Sequence, residues 1–454
     1  MTTAAPSGSQ QQMDWNAIGD DAIRILQALL RFETVNLPGN ETPAATYIAN
    51  LLQTAGIGAE VIEAAPGRGS VVARLRAERP TGQPLLLTGH TDVVSVEPDK
   101  WSQDPFGGDI VDGYIWGRGV LDMKGQVAAE LAVLLALARY NVALSRDVTF
   151  AAFADEERGG QLGAAWLWRH RPDVLDAEYA INEGGGRSIL VGDQRIYLCQ
   201  SGEKGPARLQ VTARGPAGHA SVPLDGTAMT KMSDALHRLT AWEPPTRVTT
   251  PVRILLETIA AALDEAGAAA VAKVIENPTV EAIQAMPVEP LVHRIVRATT
   301  RDTAVPTVIQ GGKTINVIPS EVTLSVDCRI LPGTDPEEWR SLVQSVVGDE
   351  VEVELLSREP GLEFDPASPL FEIIKETIAE MAPGATVAPY LTAGATDARH
   401  IPGIKVYGFF PLAPSDRAAT YALLVHGHDE RIAVEDLHFA TRFLYQVTTR
   451  LCGA

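Results

Sequence analysis

The stretch LLLTGHTD, residues 85–92, decides the fold because a short apolar run ends abruptly in a histidine and an acid. The same arrangement recurs in VTFAAFADEE, residues 148–157, and in YAINE, residues 179–183. Short apolar runs of this kind are typical of buried strands, and ligand sites of open α/β sheets gather at the carboxyl ends of such strands. The ionisable residues that follow the three runs are His90, Asp92, Asp155, Glu156, Glu157 and Glu183.

Helical patterns alternate with these β-rich runs on both sides. Apolar residues recur at helical spacing from Trp15 to Phe32, a second helix begins after Asn40, and residues 124–140, KGQVAAELAVLLALARY, form a third helical pattern. Such alternation predicts an α/β fold, with a layered α/β domain built on a central mixed sheet.

Near Lys204 the pattern changes to a smaller α+β module. We therefore predict a discontinuous first domain, residues 15–206 and 358–454, that is interrupted by an inserted domain, residues 207–357. Within the insertion, the Ala-rich residues 244–301 predict a helical elaboration. Residues 1–14 are expected to form a flexible tail.

Composition excludes several classes of protein. The formal net charge is -19 and no Lys/Arg stripe is visible, so nucleic acid is not expected as a partner. Three cysteines without CxxC spacing argue against a disulfide framework and fit a reducing cytoplasm. The most apolar stretch, residues 128–137, contains Glu130 and is shorter than the roughly 20 residues of a membrane span.

Histidines and carboxylates without cysteine suit Zn²⁺, Co²⁺ or Mn²⁺, and paired metal ions are commonly bridged by a carboxylate. Asp122, just ahead of the third helix, is the natural bridge. Asp92 lies on the same side of an extended segment as His90 and can orient its ring. The adjacent side chains of Glu156 and Glu157 diverge, so that one can bind metal while the other reaches a water as a general base.

Eight motifs, in this order, resemble one family: the dinuclear-zinc metallopeptidases that include aminoacylase-1, acetylornithine deacetylase, succinyl-diaminopimelate desuccinylase and glutamate carboxypeptidase. The resemblance runs from about Trp15 to the C-terminus. The motifs are GHTDVV, WGRGVLDMKG, ADEERGG, NEGGG, ARGPAGHASVP, NVIP with DCRILPG, GATDAR and HGHDE. It implies that the inserted domain is a ferredoxin-like lid and dimerisation domain.

The resemblance also implies roles for individual residues. One metal ion would be held by His90, Asp122 and Glu183, and the other by Asp122, Glu157 and His426. Glu156 corresponds to the general base and Asp92 to the residue that orients a ligand. His426 is preferred to His428 because the family's ligand stands four residues before the Glu, here Glu430. A cis peptide bond is implied before Met123.

His219, in GPAGHAS, corresponds to a family residue that crosses a dimer interface to polarise the substrate carbonyl. The positions that correspond to substrate-binding residues are Asn316, Arg329, Gly394 and Arg399. The implied protein is a homodimer with two Zn²⁺ ions, or Co²⁺ or Mn²⁺. It would use a metal-bound hydroxide to cleave the amide or peptide bond of a small substrate with a free carboxylate, either an N-acyl amino acid or a dipeptide.

Two features depart from the family pattern and two alternatives stay open. Ala395 stands where a second Gly is expected, and the helical elaboration is larger than in compact members. One alternative is a catalytically silent dimeric scaffold or binding protein of the same fold. The other is an N-carbamoyl amino acid amidohydrolase, a group that carries a His where Glu183 stands here.

Overall fold

The structure is a computed structural model that describes residues 13–454. It divides into two compact units. The first unit comprises the chain up to Ser188 together with Ala367–Ala385 and His400–Ala454, and the second comprises Ile189–Pro366 and Thr386–Arg399. The predicted domain limits differ from these bounds at residues 189–206, 358–366 and 386–399, and as limits of functional domains they stay a prediction.

The first unit holds the motifs that follow the apolar runs. Its helices are α1 (Trp15–Leu30), α2 (Thr42–Thr54), α3 (Lys124–Arg139), α4 (Ala164–His170), α11 (Pro369–Met381), α12 (Arg417–Leu424) and α13 (Val434–Cys452). Its strands are β1 (Ala59–Glu63), β2 (Gly69–Leu75), β3 (Leu85–His90), β4 (Ile110–Val111), β5 (Tyr114–Trp116), β6 (Val148–Phe153), β7 (Tyr179–Asn182), β19 (Lys405–Gly408) and β20 (Arg431–Ala433).

Six of these strands form a mixed sheet in the order β1-β2-β6-β3-β7-β19. The β1/β2 and β2/β6 pairs are antiparallel, whereas β6/β3, β3/β7 and β7/β19 are parallel. Every residue of β3, β6 and β7 is buried, as expected for parallel strands that are covered on both faces. This mixed α/β architecture confirms the predicted fold class.

Helix α3 lies in the centre of the first unit. It contacts β3 and β6 as well as α1 and α13, and nearly all of its residues are buried. A helix that is covered all round needs no polar face, which explains its continuous apolar sequence. Its first residue, Lys124, is also buried, and Nζ donates to the main-chain oxygens of Leu29 and Phe32. This lysine fixes the start of α3, two residues after Asp122.

The second unit contains the inserted module. Its strands are β8 (Ser188–Val191), β9 (Gln194–Glu203), β10 (Gly205–Pro206), β11 (Leu209–Arg214), β12 (Gly218–His219), β13 (Thr303–Gly311), β14 (Val317–Ile318), β15 (Glu321–Ile330), β16 (Val351–Leu355), β17 (Leu362–Glu363) and β18 (Thr386–Thr392). Its helices are α5 (Ala228–Ala241), α6 (Thr250–Ala261), α7 (Glu265–Glu276), α8 (Val280–Gln284), α9 (Pro290–Thr299) and α10 (Pro336–Val347).

The chain order β11-α5-β13-β15-α10-β16 gives an antiparallel sheet with the strand order β13-β15-β11-β16. This is the ferredoxin-like arrangement that the family resemblance implied. Helices α6 to α9 occupy the predicted helical elaboration, and their apolar faces share one core with β8, β9 and β18.

The predicted N-terminal tail lies outside the described residues up to position 12. Asp14, the last residue of that predicted tail, caps α1 by accepting hydrogen bonds from the N–H groups of Asn16 and Ala17. Among residues 13–454, no helix combines the length and apolar character that crossing a membrane would need.

Candidate metal centre

The neighbouring strands β6, β3 and β7 place three of the predicted ligands at one edge of the sheet. His90 is the last residue of β3, Glu157 follows β6 in the 3-10 helix Glu156–Arg158, and Glu183 follows β7 directly. Because the three strands run parallel, their carboxyl ends meet at the same edge. The apolar runs that end in a histidine or an acid therefore converge on one location.

Asp122 and His426 come to the same edge through a smaller sheet. Strand β5 pairs with β20, so that Trp116 lies opposite Arg431, and the main-chain N–H of Gly117 donates to the Glu430 main-chain oxygen. The segments that follow β5 and precede β20 are therefore held side by side. One of them carries Asp122 and the other carries His426.

The first group of three potential ligands consists of His90, Asp122 and Glu183, whose donor atoms all lie within 4.8 Å of one another. His90 Nε2 is 3.1 Å from Asp122 Oδ1 and 3.9 Å from Glu183 Oε1. The His90 side chain is 1% exposed. This half of the centre is therefore buried and carried mainly by strand ends.

The second group consists of Asp122, Glu157 and His426, also within 4.8 Å of one another. His426 Nε2 is 3.1 Å from Asp122 Oδ2 and 3.3 Å from Glu157 Oε2. The two oxygens of Asp122 thus face different histidines, which is the geometry of a bridging carboxylate. Unlike His90, the His426 side chain is 52% exposed.

The charges of these groups stabilise one another. Burial disfavours a charged His90, but hydrogen bonds to Asp122 and Asp92 outweigh burial and raise the pKa of His90 well above its usual value. Hydrogen bonds to Asp122 and Glu157 raise the pKa of His426 to about 10. The pKa of Asp122 is lowered, because the two histidines outweigh its burial. Metal binding would therefore displace protons from both rings.

Asp92 orients His90 and the loop after β6. His90 Nδ1 lies 2.9 Å from the main-chain oxygen of Asp92 and 3.4 Å from its carboxylate, so the main-chain oxygen is the nearer partner. The Asp92 carboxylate accepts hydrogen bonds from the main-chain N–H groups of Glu156 and Glu157, at 3.0 and 3.1 Å. Asp92 thus positions a potential ligand and the predicted base together.

Glu430 positions Asp122, a role that the sequence reasoning missed. Its buried carboxylate pairs with Arg118 at 2.6 Å and accepts hydrogen bonds from the main-chain N–H groups of Gly119, Leu121 and Asp122. Glu430, the last residue of HGHDE, therefore holds the loop that carries Asp122. Its place in the same motif as His426 was the available signal, but its partners are more than 300 residues away in the sequence.

A second buried network, also missed, supports both groups of potential ligands. Asn36 Nδ2 donates to the carboxylates of Asp92 and Asp155, at 2.9 and 3.1 Å. Asp155 in turn pairs with Arg68, which also pairs with Glu41. Asp155 has a φ of 72° at the turn that leads into Glu156 and Glu157. The network therefore fixes the backbone from which these two glutamates project.

The peptide bond between Asp122 and Met123 is cis, as the resemblance implied. The donor set also fits two metal ions. Two imidazoles and three carboxylates without a thiolate suit Zn²⁺, Co²⁺ or Mn²⁺. In addition, Glu157 Oε1 is buried and has no hydrogen-bond partner among residues 13–454. A buried carboxylate oxygen is costly unless a cation or a donor satisfies it.

The second unit places His219 beside Asn316. His219 ends β12 and is opposite Val317 of β14, and the main-chain N–H of Ala220 donates to the Asn316 main-chain oxygen at 3.0 Å. The exposed ring of His219 is oriented by Ser221, whose hydroxyl lies 2.7 Å from Nδ1. His219 and Asn316 are almost 100 positions apart in the sequence, and they therefore lie in two neighbouring exposed loops.

The remaining predicted substrate-binding residues also lie in the second unit. Arg329, on β15, pairs with Asp327 through Nε at 3.3 Å. Arg399, in the 3-10 helix Asp397–His400, pairs with Glu359 at 3.0 Å. A Cβ added at Gly394 would meet only Thr392 Oγ1, at 3.9 Å, within the described chain. Their roles toward a substrate stay predictions.

The sheet edge with its two groups of potential ligands has the arrangement expected of a metallohydrolase. The sequence matches Peptidase family M20/M25/M40 over residues 86–450, and the chain belongs to this family. It is therefore a hydrolase of amide or peptide bonds, and the suspected family is confirmed.

Two curated relatives extend over most of the chain. An N-fatty-acyl-amino acid synthase/hydrolase of Xenopus tropicalis is 29% identical over 378 residues, which cover 80% of this chain and 72% of the relative. Aminoacylase-1 of Sus scrofa is 25% identical over 425 residues, which cover 90% of each protein.

Solved structures show the same fold. An M20 family metallo-carboxypeptidase of Sulfolobus solfataricus has a TM-score of 0.70 at 19% identity and covers 94% of this chain and 98% of its own. A dinuclear metal binding peptidase of the M20 family from Bacillus subtilis has a TM-score of 0.63 at 12% identity, and it covers 96% of this chain and 99% of its own.

Proposed function

We propose that this chain is a two-metal hydrolase that cleaves the amide bond of N-acyl amino acids or dipeptides with a free carboxylate. The observation that carries the proposal is the shared position of Asp122, whose two carboxylate oxygens lie 3.1 Å from His90 Nε2 and 3.1 Å from His426 Nε2. His90, Asp122 and Glu183 would hold one ion, and Asp122, Glu157 and His426 the other. Zn²⁺ is the proposed metal, and the donor set also suits Co²⁺ or Mn²⁺.

When bound, the metal ions supply an acidified water and an electrophile for the substrate carbonyl. Glu156 projects from the same short helix as Glu157 and is the proposed base, which takes a proton from water and delivers it to the leaving amine. Asp92 holds the Glu156 main chain in place. Different residues would thus hold the metal ions, move the proton and orient the neighbouring groups.

Replacement of the proposed base tests this division. Glu156→Gln is expected to lower kcat for N-acetyl amino acids about 100- to 10,000-fold while the chain keeps two Zn²⁺ per protomer by elemental analysis. Glu178→Gln is a matched control, because Glu178 pairs with Arg146 away from the sheet edge. Wild-type turnover by Glu156→Gln would overturn the assignment.

The preference for a carboxylate rests on Arg329, because a guanidinium binds a carboxylate with two parallel hydrogen bonds. Arg329→Met is expected to raise KM for an N-acetyl amino acid and to leave hydrolysis of the corresponding C-terminal amide nearly unchanged. Arg208→Met is the control, because Arg208 pairs with the same Asp327 but is more exposed. Equal losses on acid and amide would contradict the role of Arg329.

We also propose a homodimer formed through the second unit, with His219 completing the site of the partner subunit. Strand β13 lies at one end of its sheet, and its exposed residues include Val305, Val308 and Ile309. An apolar edge strand favours pairing with another strand. His219 would hold the substrate carbonyl as negative charge develops on its oxygen.

Mixing two inactive variants tests this arrangement. His219→Ala and Glu156→Gln have defects in different parts of the proposed composite site. If His219 acts across a dimer, coexpression should restore about a quarter of the wild-type rate, because half of the chains enter mixed dimers that each contain one intact site. If ultracentrifugation shows that the coexpressed variants form dimers but they stay inactive, His219 does not act across the dimer.

A cytoplasmic location is proposed as well, because Cys199, Cys328 and Cys452 are buried and free. The silent-scaffold alternative is set aside because the chain belongs to a family of hydrolases. The N-carbamoyl alternative predicts release of carbon dioxide and ammonia from N-carbamoyl amino acids in preference to cleavage of N-acetyl amino acids. One substrate panel with Zn²⁺ and Co²⁺ separates it from the proposed function.

A further inference from the structure

A cavity of about 280 Å³ opens beside the metal centre, entirely within the first unit. Two residues of the first ligand group, Asp122 and Glu183, line it. A group bound in this cavity would therefore lie next to the reacting bond. The remaining walls decide what kind of group fits.

Apolar residues make up half of the cavity lining. The apolar side chains are those of Leu121, Phe410, Leu412, Tyr421, Ala422 and Val425. The Tyr421 hydroxyl donates to Asp436 at 2.8 Å and accepts from the Ala433 main-chain N–H at 2.8 Å, so the cavity meets the carbon face of the ring. Of the other polar lining residues, Gln126 is buried and donates to Glu130, and Arg187 is exposed to solvent. These walls favour an apolar group.

Gly184 and Gly185, which follow Glu183, also line the cavity. Gly186 has a φ of 94°, and a Cβ at this position would come within 2.1 Å of the Phe410 main-chain oxygen. The N–H groups of Phe410 and Leu412 donate to the oxygens of Gly185 and Gly186. The glycine run in NEGGG thus allows the segment that carries Phe410 and Leu412 to approach Glu183 closely.

The wall that carries α12 is fastened to α13. The buried Asp436 carboxylate pairs with Arg417 at the start of α12, accepts from Tyr421, and accepts from the Ala413 main-chain N–H. A single carboxylate thus binds three points along residues 413–421. This wall of the cavity is therefore held by specific contacts within the first unit.

We infer that this cavity binds an apolar group of the substrate, next to the scissile amide, and so selects acyl amino acids with extended aliphatic or aromatic groups. This inference rests on the proposed function. The group is either the acyl chain or the side chain of the amino acid, and two arms of one experiment distinguish these sources. Burial of each methylene is expected to raise kcat/KM about three- to four-fold until the cavity is full.

The experiment measures kcat/KM for two series with the Zn²⁺-loaded protein. One series lengthens the acyl group on alanine from acetyl to octanoyl, and the other enlarges the side chain of N-acetyl amino acids from alanine to phenylalanine. Ala422→Phe, which fills the cavity, should lower the ratio of large to small substrate at least about tenfold in one series. Phe410→Ala, which enlarges the cavity, should shift that series toward larger groups.

Leu423→Phe is the matched control. Leu423 is the next residue on α12, but it is 80% exposed and does not line the cavity. It should leave both ratios unchanged. The series that responds to Ala422→Phe identifies the part of the substrate that enters the cavity. Ratios in both series that are unchanged in Ala422→Phe and in Phe410→Ala would overturn the inference.

A binding measurement keeps the inference separate from the proposed function. If the wild type hydrolyses no member of either series, the proposed function fails, and titration calorimetry with sodium octanoate then tests the cavity alone. Octanoate binding that Ala422→Phe weakens about tenfold and Leu423→Phe leaves intact would support the apolar site. Equal binding by all three proteins, or no binding by the wild type, would overturn it.

Discussion

The two histidines of the candidate centre are held very differently. His90 ends a buried strand, is 1% exposed, and has its second ring nitrogen 2.9 Å from the Asp92 main-chain oxygen. His426 lies in the loop after α12 with a φ of 60°, and its side chain is 52% exposed. Both lie at the same distance from Asp122.

This difference suggests two metal sites of unequal strength that share one ligand. A ligand that is oriented in advance loses less conformational entropy when it binds a metal ion, so the His90 side should bind more tightly. The exposed His426 side should exchange its ion more readily. Asp122 couples the two sides, and Glu430 holds Asp122.

The largest effect is expected from the shared ligand. Asp122→Ala should remove both metal ions and lower kcat/KM at least about a thousand-fold, in line with the several kcal/mol that bound metal ions contribute to catalysis. Elemental analysis and hydrolysis of N-acetyl amino acids check this. Asp109→Ala, an exposed position in the first unit, serves as the control. Retention of one full metal equivalent would show that the two sides do not depend on a common ligand.

Glu430→Gln should have the next largest effect. The amide can no longer pair ionically with Arg118 or accept all the N–H groups of the 119–122 segment, so Asp122 loses its fixed position. We expect a 10- to 100-fold loss of Zn²⁺ affinity on both sides. The carboxylate of the neighbouring Asp429 binds Ser102, so Asp429→Asn should have a smaller effect. If the two variants behave alike, Glu430 does not act through Asp122.

The sequence predicted the strand-end residues well because their signal is local. An apolar run that ends in an acid can be read directly, and β3, β6 and β7 place His90, Glu157 and Glu183 at one edge of the sheet. The partners of Glu430 and Asn36 could not be read in this way, since nothing local indicates which buried charge a distant side chain will meet.

The cavity and the division into units were also beyond the sequence. The cavity wall depends on how the segment around α12 packs onto the glycine run, and no periodicity encodes that approach. The compact units depend on contacts made by residues 189–206 and 386–399 with the inserted module, whereas the sequence pattern changes only near Lys204.

Asn36→Ala tests the support that the two sides share. It removes the hydrogen bonds from Nδ2 to Asp92 and Asp155, so His90 and the turn that carries Glu157 should both lose support. We expect a loss of about tenfold in kcat and in both Zn²⁺ affinities. Asn50→Ala, on the exposed face of α2, controls for the loss of an amide. Unchanged kcat and unchanged affinities in Asn36→Ala would contradict the role of the network.

The smallest effect on activity is expected from Glu130→Gln, behind the centre on α3. Burial raises the pKa of Glu130 from its ordinary value of 4.5 to about 8, so the folded chain retains a proton that the unfolded chain releases at lower pH. The free energy of unfolding should therefore fall by up to about 1.4 kcal/mol per pH unit as pH rises from about 5 to 8. Urea unfolding should show a flatter pH dependence for Glu130→Gln. If the free energy of unfolding changes with pH equally in Glu130→Gln and in the wild type, the Glu130 carboxyl does not cause this pH dependence.

Titration of the metal-free protein with Zn²⁺, followed by calorimetry, tests the central claim most directly. The wild type should bind two ions per chain with unequal affinities. His426→Ala should lose the weaker event and keep the tighter one, whereas His90→Ala should lose the tighter event. Binding of fewer than two ions by the wild type, or loss of both events in His426→Ala, would contradict two metal sites of unequal strength around Asp122.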